Sequence, residues 1–190
     1  MFILGASTLG EIVIEVAIRS KYKIEGFYDE INTSKFCGGL PILGKLNDLI
    51  ENPIAYVSGV FIAIGDNKNR RVISEQLLER GVPLCNIIDS SATIESSASL
   101  GSGNLVMSGA YIGVRTTIGT GNLIFPGVSI THHNSVGSFC FFSPNSSVGG
   151  FTHIEDECKI AMNSVVPPYV RIIFGSESQP GSIITGTHLS

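Results

Sequence analysis

Charge is scarce in this 190-residue chain: Asp, Glu, Lys and Arg make up 15% of it, against about 25% in an ordinary soluble domain. That composition excludes a disordered chain, which needs high charge and little apolar surface. The shortage is uneven. Residues 1–90 hold 20 charged side chains, residues 91–190 only 8, and each part has a net charge of −2. No basic cluster offsets the total of −4, so the electrostatic footprint of a nucleic-acid-binding protein is missing. Long apolar runs are missing too. The longest, Ile54 to Ile64, is interrupted by Ser58 and Gly59 and falls short of the roughly 20 residues that cross a bilayer, so no membrane role is expected. Met1 to Gly10 is apolar with no positive region ahead of it, the first basic residue being Arg19. Export is therefore not indicated, and a cytoplasmic location is expected. Cys37, Cys85, Cys140 and Cys158 form no Cys-x-x-Cys pair, which argues for reduced, structural thiols rather than disulfides or zinc ligands.

In the first ninety residues, the apolar run Phe2–Gly5 leads into Thr8 and Glu11, spaced as a capping box. Leu9, Ile12, Val13 and Val16 then recur at the helical period. Ile24–Phe27 reads as the next strand and ends near Asp29, and Tyr56–Ile64 reads as another. It leads through Gly65-Asp66-Asn67 into a second amphipathic helix on Val72, Ile73, Gln76 and Leu77, which stops at Gly81. Strand, glycine turn, helix, strand and acidic residue is the order of a mononucleotide-binding βαβ unit, with its ligand at the carboxyl ends of the strands. Gly5-x-x-x-x-Gly10 is neither a GxGxxG fingerprint nor a P-loop. Two readings therefore stay open. Either Gly5 only permits a tight turn and Asp29 is solvated, or Ser7 and the free N–H groups of the helix start hold a phosphate.

The last hundred residues follow a different rule. Stepping by six from Ile94 meets Ile94, Leu100, Val106, Ile112, Ile118, Ile124, Ile130, Val136, Phe142, Val148, Ile154, Ile160, Val166 and Ile172, all large and apolar. Only roughly a quarter of positions would be of that type by average usage. Two residues before each, the side chain is usually small or compact (Ala92, Ala98, Asn104, Ala110, Thr116, Asn122), and glycine often follows, as at Gly101, Gly113, Gly119, Gly137 and Gly149. A period of six suits neither an α-helix nor an isolated alternating strand. It suits a parallel β-helix with one large inward side chain per short strand. With three hexads per coil, residues 18 apart stack at about 4.8 Å, placing Cys140 over Cys158. The expected fold is thus an α/β Rossmann-like domain, residues 1–89, followed by an all-β left-handed parallel β-helix, residues 90–190. Flat prism faces poor in charge are available to pack against copies of themselves, so a trimer is expected.

Fourteen hexapeptide repeats behind a βαβ half resemble the left-handed β-helix sugar acyltransferases. The resemblance is to the subfamily of sialic acid O-acetyltransferases and the nucleotide-sugar N-acetyltransferases of bacillosamine and perosamine synthesis. It rests on Phe2-Ile-Leu-Gly-Ala-Ser7, Gly26-Phe-Tyr-Asp29, Gly39-Leu-Pro-Ile-Leu-Gly44, Phe61-Ile-Ala-Ile-Gly-Asp66, and Ile130-Thr-His-His-Asn-Ser-Val-Gly137 leading into Phe142-Ser-Pro144. It implies an acetyl-CoA-dependent transferase acting on the amino group of a nucleotide-activated sugar used for a surface glycan, in a homotrimer with active sites at subunit interfaces. Sialic acid O-acetylation is the alternative, and a non-catalytic trimeric nucleotide-binding scaffold is the alternative of another class. By the same resemblance His132 is the general base, and a neutral imidazole suits that task at cytoplasmic pH. From spacing alone His132 is a corner residue on an exposed turn. Gly150 and Ala161 are implied at acetyl-CoA, with Gly150 as an oxyanion donor one coil above His132. Gly5, Ala6, Ser7, Asp29 and Gly65 are implied at the nucleotide sugar. His133 stands where the family usually has an acidic partner for the base, and Phe141 where some members have a second histidine. His153 and His188 read as surface residues. No metal is expected: β-helix carbonic anhydrases use three histidines, and their His-x4-His pair is absent.

Overall fold

The computed structural model describes residues 1–188, with side chains through residue 186. Two units divide it, Met1–Ile88 and Asp89–Ser190. In the first, β1 (Phe2–Leu4), β2 (Gly26–Tyr28), β3 (Phe36–Cys37), β4 (Leu40–Gly44) and β5 (Val60–Ile62) form one sheet in the order β3-β4-β2-β1-β5. Only β3 and β4 pair antiparallel. Every residue of β1, β2 and β5 is buried, as expected of parallel strands covered on both faces. Phe2, Leu4, Val60 and Ile62 pack with Leu49 of α2 (Leu46–Glu51), Ala55 of α3 (Ala55–Ser58) and Leu77 of α4 (Asn67–Glu79). On the opposite face, α1 (Thr8–Arg19) lies so close to the sheet that a Cβ on its Gly10 would fall 2.3 Å from the Gly5 carbonyl oxygen and 3.1 Å from the Phe27 ring.

Two local expectations are corrected. The apolar run from Tyr56 is not one strand. Its first residues close the short helix α3, Gly59 breaks the chain at φ +75°, and only Val60–Ile62 is extended. The start of α1 also differs: Ser7 is the N-cap and Thr8 the first helical residue, so Thr8 and Glu11 form no capping box. The second amphipathic helix ends as expected, with Gly81 at φ +80° just past it.

The second unit is a stack of two-residue strands. Tyr111–Ile112 pairs in parallel with Thr93–Ile94 and with Ser129–Ile130, and Ser129–Ile130 pairs with Ser147–Val148, so one coil is 18 residues. The same spacing builds the other two faces of a left-handed prism. Of the fourteen six-spaced apolar residues, the twelve from Val106 to Ile172 are buried, while Ile94 and Leu100 in the first coil are half-buried. Each such burial contributes about 1.5–3 kcal/mol. The compact side chains form ladders beside them. The Asn122 amide N–H donates to Asn104 Oδ1 at 2.8 Å, and the Cys140 N–H to Asn122 Oδ1 at 2.8 Å. Cys140 and Cys158 continue that ladder, both buried; the hydrogen bond with Cys158 and then burial push the Cys140 thiol up.

The corners reveal a second period of six that hydropathy hid. From Gly103 to Gly181 every sixth residue has φ between +56° and +71°, and eight of these residues, including Arg115, His133, Phe151 and Tyr169, are not glycine. Gly113 and Gly149 serve another purpose, because a Cβ there would sit 2.6 Å from the Thr131 carbonyl oxygen or 2.5 Å from Pro168 N in the next coil. Among the described residues no helix is long and apolar enough to cross a membrane.

Candidate active site

At the carboxyl ends of β1, β2 and β5 lies a cavity of about 580 Å³. The chain leaves β1 for β2 on one side and later returns to β5 on the other, so this is the point where the strand order reverses. Gly5, Ala6, Ser7, Asp29 and Gly65 all line it, with Glu30, Asn32, Asn69 and Ile73. Gly5 is irreplaceable on steric grounds: it has φ +111°, and a Cβ would meet the Ala63 carbonyl oxygen at 2.5 Å.

Asp29 is no solvated strand end. Its Oδ2 accepts the Ala6 N–H at 2.6 Å, and its Oδ1 accepts the Ile31 and Asn32 N–H groups at 2.8 and 2.7 Å. Burial pushes its carboxyl up, but the three N–H groups together outweigh this and hold it below the usual carboxylate value. Asn32 closes the bracket by donating Nδ2 to the Ala6 carbonyl at 2.6 Å. The opposite wall, at Ile64 and Gly65, is held from behind by buried Arg70, whose guanidinium donates to the Ile64 and Gly65 carbonyls at 2.8 and 3.1 Å and to Asn67 Oδ1 at 2.8 Å. Sequence reading missed Arg70 and Asn32; the i, i+3 spacing of Asn67 and Arg70 on the helix was the available signal for the first. The Ser7 hydroxyl makes no capping bond and is exposed at the cavity.

The second cluster occupies one corner of the prism. His133, Phe151 and Tyr169 take its left-handed positions in successive coils. The backbone ties the coils together there, the Phe151 N–H donating to the His132 carbonyl at 3.1 Å and the Tyr169 N–H to the Gly150 carbonyl at 3.0 Å. The imidazole edge of His132 lies directly over Gly150, where a Cβ would be 2.4 Å from Cε1 and 2.8 Å from Nε2. The Gly150 N–H donates to no acceptor among the described residues. His132 is exposed and His133 half-buried, with their Nδ1 atoms 3.2 Å apart. Phe151 stacks on His133 at 4.7 Å and 19°, and Tyr169 on Phe151 at 5.2 Å and 4°. A spacing of 18 between two aromatic residues and a histidine was visible in the sequence, but its meaning depends on the coil length.

Other expected residues fall elsewhere. Ala161 belongs to the corner turned at Asn145 and Asn163, and its N–H donates to Ser178 Oγ at 2.7 Å. Phe141 stacks on Phe125 at 4.8 Å. His153 is half-buried in a groove of about 240 Å³ with Glu155 and Asp156. The His188 side chain lies outside the described residues. No group of three or more His, Cys, Asp or Glu side chains among the described residues is placed to hold a metal ion.

The chain therefore combines a doubly wound domain with a cavity at its switch point and a left-handed β-helix with an imidazole over a glycine. Residues 1–77 match the PglD N-terminal domain family. PerB from Caulobacter crescentus, whose crystal structure is in complex with CoA and GDP-perosamine, superposes with a TM-score of 0.88 at 25% identity, covering 100% of this chain and 90% of that one. The acetyltransferase domain of PglB from Neisseria gonorrhoeae in complex with acetyl coenzyme A shares the fold, with a TM-score of 0.70 at 21% identity over 99% of this chain and 98% of that chain. Uncharacterized protein L142 of Acanthamoeba polyphaga mimivirus is 31% identical over 107 residues, 56% of this chain, so the match spans about a fifth (21%) of that protein. Residues 1–77 thus carry the PglD N-terminal domain, and the whole chain is similar in fold to PerB.

Proposed function

We propose that the protein transfers the acetyl group of acetyl-CoA to the amino group of a nucleotide-activated sugar in the cytoplasm. The observation that carries this reading is the His132 imidazole seated over Gly150, in a chain whose other unit has a cavity at the switch point of its sheet. His132 takes a proton from the amine as the nitrogen lone pair attacks the thioester carbon. Gly150, with no side chain in the way and its N–H uncommitted, is the donor for the oxyanion. The loop Gly5–Ser7 and Gly65 border the nucleotide. Among the described residues no lysine or arginine lines that cavity, so phosphate rests on N–H groups at the start of α1 and on the Ser7 hydroxyl. The full-length likeness to PerB, described with CoA and GDP-perosamine, supports the amino sugar over sialic acid. The active form is a homotrimer with sites between prisms, a reading supported by the few charges after residue 90 and by exposed Val114, Met162, Val165, Ile173 and Phe174.

The test is thiol release from acetyl-CoA with a panel of UDP- and GDP-amino sugars, with CMP-sialic acid and free sialic acid as competitors for the assignment. Turnover with one amino sugar, reduced about 10²- to 10⁴-fold in His132→Ala, is expected. Unchanged turnover in that variant sinks the assignment of the base, and binding of nucleotide without any binding of CoA in calorimetry selects the scaffold.

A further inference from the structure

The pair His132–His133 differs from a histidine–carboxylate pair in a way the geometry makes definite. With Nδ1 atoms 3.2 Å apart, one proton lies between the rings, because two N–H groups would collide and two lone pairs would repel. If His132 donates it, His132 Nε2 is a free lone pair able to accept a proton. If His133 donates it, His132 Nε2 carries a hydrogen and the ring cannot act as a base. The two rings also meet Phe151 differently. His133 covers one face of that ring and Tyr169 stacks parallel to it at the next coil, while His132 meets it at 81° with centroids 5.4 Å apart. The face of an aromatic ring attracts a cation within about 6 Å, whereas its edge carries the opposite partial charge. Positive charge is therefore better accommodated on His133 than on His132. Among the described residues neither ring has a carboxylate partner. Of the other titratable or charged side chains at this corner, Arg115 stands one coil before His133 and Tyr169 two coils after.

Resting on the assignment of His132 as the base, we infer that His133 is its positioning residue and proton acceptor, with the Phe151 ring face standing in for the missing carboxylate. His133 holds His132 in the form with Nε2 free. As the amine N–H bond breaks and His132 Nε2–H forms, the His132 Nδ1–H bond breaks and His133 Nδ1–H forms on the lone pair there. The charge moves one ring outward, over Phe151. When the tetrahedral adduct collapses, the C–S electron pair leaves with sulfur, and the reverse shift returns the proton through His132 Nε2 to the thiolate.

Histidine-labelled ¹⁵N NMR of the unliganded trimer or monomer reads the pair directly. His132 with Nε2 unprotonated and Nδ1 protonated is expected, and a His132 Nε2–H in the neutral pair overturns the inference. Activity supplies the second reading. Phe151→Leu should lower turnover about tenfold and move the acid limb of the pH–rate profile to lower pH, since the protonated pair loses its ring face. His133→Glu should move that limb to higher pH. A limb that stays in place in both variants means that His133 serves structure alone. If the wild type acetylates no sugar at all, the reading of its function falls while the NMR result still decides the pair.

Discussion

Gly150→Ala separates catalysis from folding at a single methyl group. Gly150 has no positive φ, so its backbone accepts alanine, and the loss of unfolded-chain freedom adds about 0.4–1 kcal/mol of stability. The added Cβ, however, would lie 2.4 Å from His132 Cε1, 2.8 Å from Nε2 and 2.9 Å from Nδ1. Carbon atoms in contact sit at about 3.5–4.0 Å, so the imidazole must retreat by at least about 1 Å. His132 is exposed and can swing outward, so the fold is spared while the base is displaced. A misplacement of that size costs about 10²-fold in rate, equivalent to about 2.7 kcal/mol of transition-state stabilisation. The assay is initial-rate acetyl transfer alongside thermal unfolding of the same preparation. A melting temperature at or slightly above wild type with a hundredfold loss of turnover is expected. Wild-type turnover would refute the placement of the chemistry at this corner, and a collapse of stability would refute the claim that the ring yields before the coil does.

Two further predictions follow from the other unit and from the prism faces. In Asp29→Asn the three N–H bonds lose their charged acceptor; Asp29 has its folded pKa depressed, so its stabilisation is present above the unfolded value near 3.9 and lost as pH falls through the folded one. The variant should be less stable at pH 7 by about 1 kcal/mol, allowing for partial exposure, and the gap should narrow as pH falls below about 3.9 in urea unfolding; a gap that stays constant with falling pH counts against the bracket. Light scattering at micromolar concentration should give three times the chain mass of 20.2 kDa, and a monomeric mass removes the trimer.

Periodicity made the prism legible because a β-helix repeats one local interaction. Each hexad presents one apolar side chain inward, so a step of six along the chain traces the core without knowledge of any contact. The carboxyl-end pocket was legible for a related reason: the order of strand, turn and helix predicts where a switch point falls, and Gly5, Asp29 and Gly65 follow three strands, β1, β2 and β5, that lie side by side in the sheet. Short apolar segments were less readable, since Tyr56–Ser58 suits a buried strand or a helical turn equally and Gly59 decides between them by leaving the right-handed region.

Residue order alone carries the repeat, the division into two kinds of composition, and two adjacent histidines with a glycine 18 residues after the first. It takes the folded chain to show that the same 18-residue spacing stacks His133, Phe151 and Tyr169 at one corner, that Asp29 is occupied by the loop it brackets, and that Ala161 turns at a different corner from Gly150. Hydrophobic burial is nearly independent of direction and survives as a pattern along the chain. Hydrogen bonds and ring stacking depend on angles and distances set by coils that meet only when the prism is wound.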